Sequence, residues 1–406
     1  MKTKRVVITG MGVFCAIGKN VEEFRQSLRE GRSGIGPITL FDTSKYPSRI
    51  GAEIRDYRPG EFFGKKELKK LSRTDQLGLI AAEEAVKDSG IVSYSQEEIG
   101  VCLGAGAGGM FEAETYHRDV LLKGKSNPYH ILPFIPSFTT SRVAERFGFS
   151  GPKATITTAC SSSATSIGYG ADLIRSGRCK AVVCGGSDAL CELTFGGFNS
   201  LKAMDPKPCR PFDRKRTGMS LGEGAAILIL EDEEEAKRRG AKIYAEFLGY
   251  GIGGEAHHIT APEPNGVVEA RVMAEALREG GVSLERVDHI NAHGTGTPLN
   301  DKVETLAIKK AFGERAYSIP ISSNKSMVGH CLGSAGAIEA VASVLSIVYN
   351  FIPPTLNYQE GDEDCDLDYV PGNSREMMVN VVLSNSFAFG GNCTSLVFGK
   401  HNHKDG

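Results

Sequence analysis

Ala154-Thr-Ile-Thr-Thr-Ala-Cys160-Ser-Ser-Ser-Ala-Thr-Ser-Ile-Gly168 runs from β-branched residues straight into a series of small ones. The first part reads as a strand, because β-branched side chains suit a pleated surface, and the second as a helix of small residues. A thiol at that junction sits at a helix N-terminus, where unpaired N–H groups and the positive end of the macrodipole favour thiolate over thiol. Cys160 therefore reads as a nucleophile; a buried small hydrophobe is the plain alternative.

Working outward, short apolar runs ended by glycine or another turn residue mark strands at Arg5–Gly10, Ile99–Gly104, Ala154–Ala159, Ala181–Gly185, Lys242–Gly249, His289–His293, Ile319–Ser323 and Val379–Ser384. Between them lie helical patterns at Gln76–Ser89, Ser163–Ser176, Val267–Glu279 and Ala335–Tyr349. The alternation predicts a layered α/β protein. The run Glu231-Asp-Glu-Glu-Glu-Ala-Lys-Arg-Arg-Gly240, acidic first and basic last, suits a short exposed helix. It also marks a join between two related halves, residues 1–240 with the cysteine and 241–406 with two histidines. Ser161–Gly177 and Gly333–Tyr349 are rich in Ala, Ser and Gly and apolar most of the way round, so each reads as buried on all sides. Small residues allow close approach, and the two are expected to pack together between two sheets.

Composition excludes several functions. Ten cysteines form no C-x-x-C pair and no Cys/His cluster, which suits a reducing, cytoplasmic setting. The opening Met1-Lys-Thr-Lys-Arg-Val-Val-Ile-Thr-Gly10 is too short in its apolar part for a secretion signal, and no unbroken apolar run reaches membrane length. With a formal net charge of −2, nucleic acid is not an expected partner.

Two further segments carry chemistry. Asn291-Ala-His293-Gly-Thr-Gly-Thr-Pro298 ends a predicted strand, and Ser322-Ser-Asn-Lys325-Ser-Met-Val-Gly-His330 lies between a strand and the second buried helix. Glycine beside each histidine lets backbone and substrate approach. Neither histidine falls in a ligand spacing, so no metal is expected.

Together, T-A-C-S-S, N-A-H-G-T-G-T-P, N-K-S-M-V-G-H followed by L-G-S-A-G-A-I-E, and Ser384-Asn-Ser-Phe-Ala-Phe-Gly-Gly391 resemble the signature blocks of the elongating β-ketoacyl-acyl carrier protein synthases. The likeness extends from Val6-Val-Ile-Thr-Gly-Met-Gly12 through Arg210-Pro-Phe-Asp-Arg214 and Gly222-Glu-Gly-Ala225 to the C-terminal loop. It implies the thiolase-like fold, duplicated halves in five αβαβα layers, and a dimer, either of two copies or with a related subunit. It implies decarboxylative Claisen condensation of an acyl group on Cys160 with malonyl-acyl carrier protein, in fatty acid or specialised polyketide or polyene elongation. No cofactor is implied beyond the carrier's phosphopantetheine. His293 and His330 would stabilise the enolate, Lys325 would tune them, and Glu339 would anchor the lysine's surroundings. The N–H groups of Cys160 and Phe389 would form the oxyanion hole, and Phe389 would gate acyl entry. Thr295 and Thr297 would bind the pantetheine amides. For the acidic carrier, the basic cluster Lys65, Lys66, Lys69, Lys70 and Arg73 is the first docking candidate, with Lys202, Lys123 and Lys125 as additions.

Two positions depart from the family pattern. Ala107 stands where a bulkier aliphatic residue is usual beside the acyl chain, and Ala388 stands where Gly is usual between Phe387 and Phe389. Both predict an altered acyl pocket or gate, open to long, rigid or unsaturated chains. Two rivals remain: a thiolase-type acyltransferase, with Cys393 as its second cysteine, and a non-catalytic chain-length-factor subunit, against which Cys160 speaks.

Overall fold

The computed structural model describes residues 4–401, so Met1–Thr3 of the basic N-terminal stretch and residues 402–406 lie outside the described residues. Ten strands form its main sheet: β1 Val6–Cys15, β2 Ile99–Gly104, β3 Lys153–Ile156, β4 Ala181–Asp188, β5 Gly224–Asp232, β6 Ala245–Gly254, β7 His289–Asn291, β8 Ile321–Ser322, β9 Val381–Ala388 and β10 Asn392–Gly399. The helices that matter here are α1 Arg73–Ser89, α2 Met110–Lys123, α3 Ser137–Phe147, α4 Ser162–Arg175, α5 Glu192–Ser200, α6 Val267–Glu279, α7 Pro298–Phe312 and α8 Ala335–Tyr349.

Strand order shows the duplication. The sheet runs β8-β7-β9-β10-β6-β1-β5-β4-β2-β3, so each half repeats one order outward from the centre. Within each half two pairings are antiparallel and two parallel: β1–β5, β5–β4, β4–β2, β2–β3, and then β6–β10, β10–β9, β9–β7, β7–β8. The two sheets expected from sequence are joined at their edges. Val6↔Phe247 through Ile8↔Ala245 pair antiparallel and make one continuous sheet.

Three apolar cores separate five layers. One lies between the halves around α4 and α8, a second holds α1 and α3 against the outer face of the first half, and a third holds α6 and α7 against the second. Along β5, Ala226, Leu228 and Leu230 face the middle core while Ala225, Ile227 and Ile229 face the outer one. A strand buried on both faces loses the polar alternation that marks a half-exposed one. That explains why β5 and β10 are absent from the strands expected above.

Strand β1 also runs on to Cys15, beyond the glycine that was read as its end. Gly10 and Gly12 are there because α1 lies against them: a Cβ would come within 2.4 Å of the Ala85 carbonyl oxygen and 2.0 Å of that of Ala81. They mark close backbone contact and no turn.

Ala335 through Ile347 of α8 are all buried. Leu332–Tyr349 has the length and apolarity of a membrane span, yet 89% of it is enclosed by protein, as befits a central core helix. The expected approach of the two small-residue helices is present. Ser163 Oγ accepts the Ala337 N–H at 2.9 Å, and a Cβ on Gly336 would lie 2.8 Å from Ala164 Cβ.

Candidate active site

Strand β3 leads into a single 3-10 turn, Ala159–Ser161, from which α4 starts, and this places Cys160 at the foot of the central layer. Ala159 holds φ of +51°, a left-handed conformation that a side chain resists and that packing must enforce. The second half repeats the turn: Leu332 has φ of +50°, and Gly333 stands where the first half has Cys160. Only one of the two equivalent turns carries a sulfur.

Cys160 opens on a cavity of 380 Å³ whose wall also includes His293, His330, Thr295, Thr297 and Phe389. These residues come from four separate stretches of chain. His293 follows β7, where the Glu304 carboxylate of α7 accepts the N–H groups of His293 at 2.8 Å and Gly294 at 2.7 Å. His330 is tied by its own backbone, donating to Ser220 O at 2.7 Å and accepting from Gly222 N at 3.0 Å. The two imidazoles meet edge to face with centroids 5.5 Å apart. Thr295 and Thr297 share a hydroxyl contact of 2.9 Å.

Lys325 and Glu339 lie behind the histidines. The Lys325 Nζ reaches His293 Nδ1 at 3.3 Å and is ion-paired with Glu339 Oε1. An ammonium only donates, so this contact leaves the His293 proton on Nε2. Burial, with Lys325 adding repulsion, pushes the pKa values of both His293 and His330 well below the ordinary imidazole value. Both rings are neutral at pH 7. Burial raises Glu339 to about 7 against the pull of Lys325.

At the sulfur, the expected pull of the helix N-terminus meets an opposing force. Burial raises the Cys160 thiol to about 11, and the Lys325 charge and the N–H groups of Phe389 and Cys160 only partly oppose it. The helix N-terminus does not win, because its effect is a fraction of what full desolvation of a thiolate costs. Both of those N–H groups nevertheless lie where they favour negative charge on the sulfur.

Arg73 corrects one expectation. It is no docking residue: its guanidinium is largely buried and holds Glu223 through Nε at 2.7 Å and Nη2 at 2.5 Å. A buried carboxylate demands such a partner. Lys65, Lys66, Lys69 and Lys70 are exposed, but only Lys202 lines the cavity that holds Cys160.

Ala107 packs with Met219, which lines the cavity, and with Leu190, Phe195 and Leu332. Its position is set by Asp188, whose carboxylate accepts the N–H groups of Gly106, Ala107 and Gly108 at 2.8–3.0 Å, and of Gly333 at 2.7 Å. At the gate, Phe389 stacks on Phe198 with centroids 5.5 Å apart. Ala388 is extended, with φ of −128°, so it replaces glycine there without strain. Cys393 lies outside the cavity wall and faces Glu255 at 3.7 Å, which removes the second cysteine that a thiolase reading needs at the sulfur.

Sequence reasoning missed Glu304 and Asp188. A carboxylate spaced 11 residues from His293, or 82 from Gly106, leaves no local signal, and only the second could have been suspected, as a charge ending a buried strand.

Known proteins are similar to this chain over nearly its whole length. The family profiles for the β-ketoacyl synthase N-terminal and C-terminal domains match residues 3–236 and 244–359. This chain belongs to the β-ketoacyl synthase family. A 3-oxoacyl-[acyl-carrier-protein] synthase 2 of Synechocystis sp. is 44% identical over 412 residues, covering 99% of each protein. One of Coxiella burnetii is 42% identical, covering 98% of this chain and 99% of the relative. Among solved structures, the ishigamide ketosynthase/chain length factor superposes with a TM-score of 0.95 at 39% identity, covering 98% of this chain and 100% of that one.

Proposed function

We propose that this β-ketoacyl synthase condenses an acyl group held on Cys160 with malonyl-acyl carrier protein. One observation carries the reading: a single sulfur on a cavity shared with two neutral imidazoles, with two backbone N–H groups aimed at that sulfur. The Cys160 sulfur attacks the carrier thioester, the carrier's C–S bond breaks, and the carrier leaves as its thiol. Malonyl-carrier then loses carbon dioxide, and the electron pair of the broken C–C bond passes into an enolate. Nε2–H of His293, with His330 beside it, stabilises the enolate oxygen, because neutral donors preorganised in a dry cavity need no reorientation as charge develops. The enolate carbon attacks the Cys160 thioester; the oxyanion rests on the N–H groups of Cys160 and Phe389, and the sulfur departs. Lys325 and Glu339 hold His293 in the required tautomer.

Around this core, the hydroxyls of Thr295 and Thr297 bind the pantetheine amides, and Lys202 at the mouth meets the acidic carrier, with Lys65, Lys66, Lys69 and Lys70 as a second basic surface. The functional halves divide at residues 240/241. A partner of the same fold, most simply a second copy, covers the apolar surface of α2 and the segment after it, where Leu121 and Leu122 are 70% and 77% exposed and Phe134 and Ile135 are exposed beside them. Ten buried, unpaired cysteines support a reducing, cytoplasmic location. The structural likeness to the ishigamide ketosynthase/chain length factor, together with Ala388 in the gate, supports a specialised pathway with long or unsaturated chains.

Intact-mass measurement after exposure to a panel of acyl-carriers tests the reading. The chain should gain one acyl mass, Cys160→Ala none; His293→Ala and His330→Ala should still acylate but condense about 10²–10³-fold more slowly. Acylation of Cys160→Ala, or full-rate condensation by both histidine variants, contradicts it.

A further inference from the structure

Three side chains that the condensation does not use meet beside the gate. Glu255 follows β6 and borders the cavity; Glu269 is in the first turn of α6; Cys393 is the second residue of β10. The donor atoms of all three lie within 4.8 Å of one another, and Cys393 Sγ is 3.7 Å from Glu255 Oε1. Glu269 is 1% exposed, and its Oε2 is buried without a hydrogen-bond partner. Arg271, two residues along the helix, pairs with Glu275 at 3.8 Å, and its charge also acts on Cys393. Two carboxyl groups and a thiol held this close in an apolar setting require either protons or a cation.

We propose that Glu255, Glu269 and Cys393 form a binding site for one thiophilic divalent cation of the zinc class. A thiolate with two carboxylates suits zinc; calcium and magnesium prefer oxygen alone. A tetrahedral ion holds such donors about 3.5 Å apart, so side-chain movements of about 1 Å close the cluster. Three protein donors are the number found in sites that keep one coordination position open. Binding releases two protons to solvent, one from the Cys393 thiol and one from the Glu255/Glu269 pair. Because the thiol and carboxyl groups must give up their protons to bind a cation, uptake weakens as the pH falls. The absence of any metal expected from sequence rested on histidine spacing and on the lack of a C-x-x-C pair or Cys/His cluster, patterns that two glutamates and a cysteine far apart in the chain do not form. The Glu255 N–H donates to Gly391 O at 3.0 Å, so the ion would fasten the loop after Phe389 to the cavity wall.

The test uses the full chain, freed of metal by chelation, then titrated with Zn²⁺ by calorimetry and with Co²⁺ by absorption. One equivalent should bind, with a near-ultraviolet thiolate-to-cobalt band, and more weakly at pH 6 than at pH 8. Cys393→Ser should lose the band, and both Cys393→Ser and Glu269→Gln should weaken Zn²⁺ binding by at least about tenfold. Each replacement is near-isosteric; if one does not fold by circular dichroism, the other decides. No uptake by the native chain, the result expected of a carboxyl pair sharing a proton, overturns the proposal, as does uptake unchanged in the variants. Condensation is not measured, so this outcome and that of the acylation experiment are independent.

Discussion

At Cys160 burial and preorganised donors act in opposite directions. Burial pushes the thiol up to about 11, which favours the protonated form at neutral pH. Below its pKa the thiolate fraction rises tenfold per pH unit, so alkylation of Cys160 by iodoacetamide should keep accelerating from pH 7 to pH 10. A rate that levels off by pH 8 would show a thiolate stabilised far more than the geometry allows. Behind it, the Lys325–Glu339 pair lies almost fully out of water at 1% and 2% side-chain exposure. Such a pair is retained for position more than for stability, since burying both charges offsets much of their attraction. Cys160, His293 and His330 could be picked out because each stands in a short motif with small residues between a strand and a helix, in segments that resemble the family's signature blocks. Glu304 and Asp188, which hold those runs in place by accepting backbone N–H groups, were not, because their partners are brought to them by folding.

Among the elements, the contact between α4 and α8 carries the most consequence, since α4 starts at the nucleophile and α8 follows the His330 segment. Gly336 lets them touch: any Cβ there would meet Ala164 N at 2.9 Å and Ser386 Oγ at 2.9 Å as well as Ala164 Cβ. Gly336→Leu should therefore destabilise the protein by about 1–3 kcal/mol in urea unfolding and lower condensation through displacement of Cys160. Unchanged stability would mean that the helices are less tightly packed than the structure has them. Helices α6 and α8 fall at the expected residues, because amphipathic or wholly apolar periodicity over three turns is a strong signal. Strand ends are less legible: β7 stops at Asn291 and leaves His293 in the following loop, where the Glu304 carboxylate holds it.

For the whole molecule, the exposed leucines of α2 and the aromatic and aliphatic residues after it form a surface that a monomer rarely leaves in water. The chain is expected to run in light scattering at roughly twice 43.5 kDa, and the double variant Leu122→Asp, Ile135→Asp at a single mass. A monomeric native chain would direct the search to a different partner subunit. By itself the sequence determined the layered α/β class and the two central helices, because each is written in local periodicity, and it singled out Cys160, His293 and His330 through short motifs. Tertiary structure alone decided that the two sheets are continuous, that Arg73 serves Glu223, that Asp188 holds Gly333 and the Gly106–Gly108 turn, and that burial pushes the Cys160 thiol up. Those outcomes depend on burial and on partners far along the chain, and desolvation is a property of the packed molecule that no local pattern of residues records.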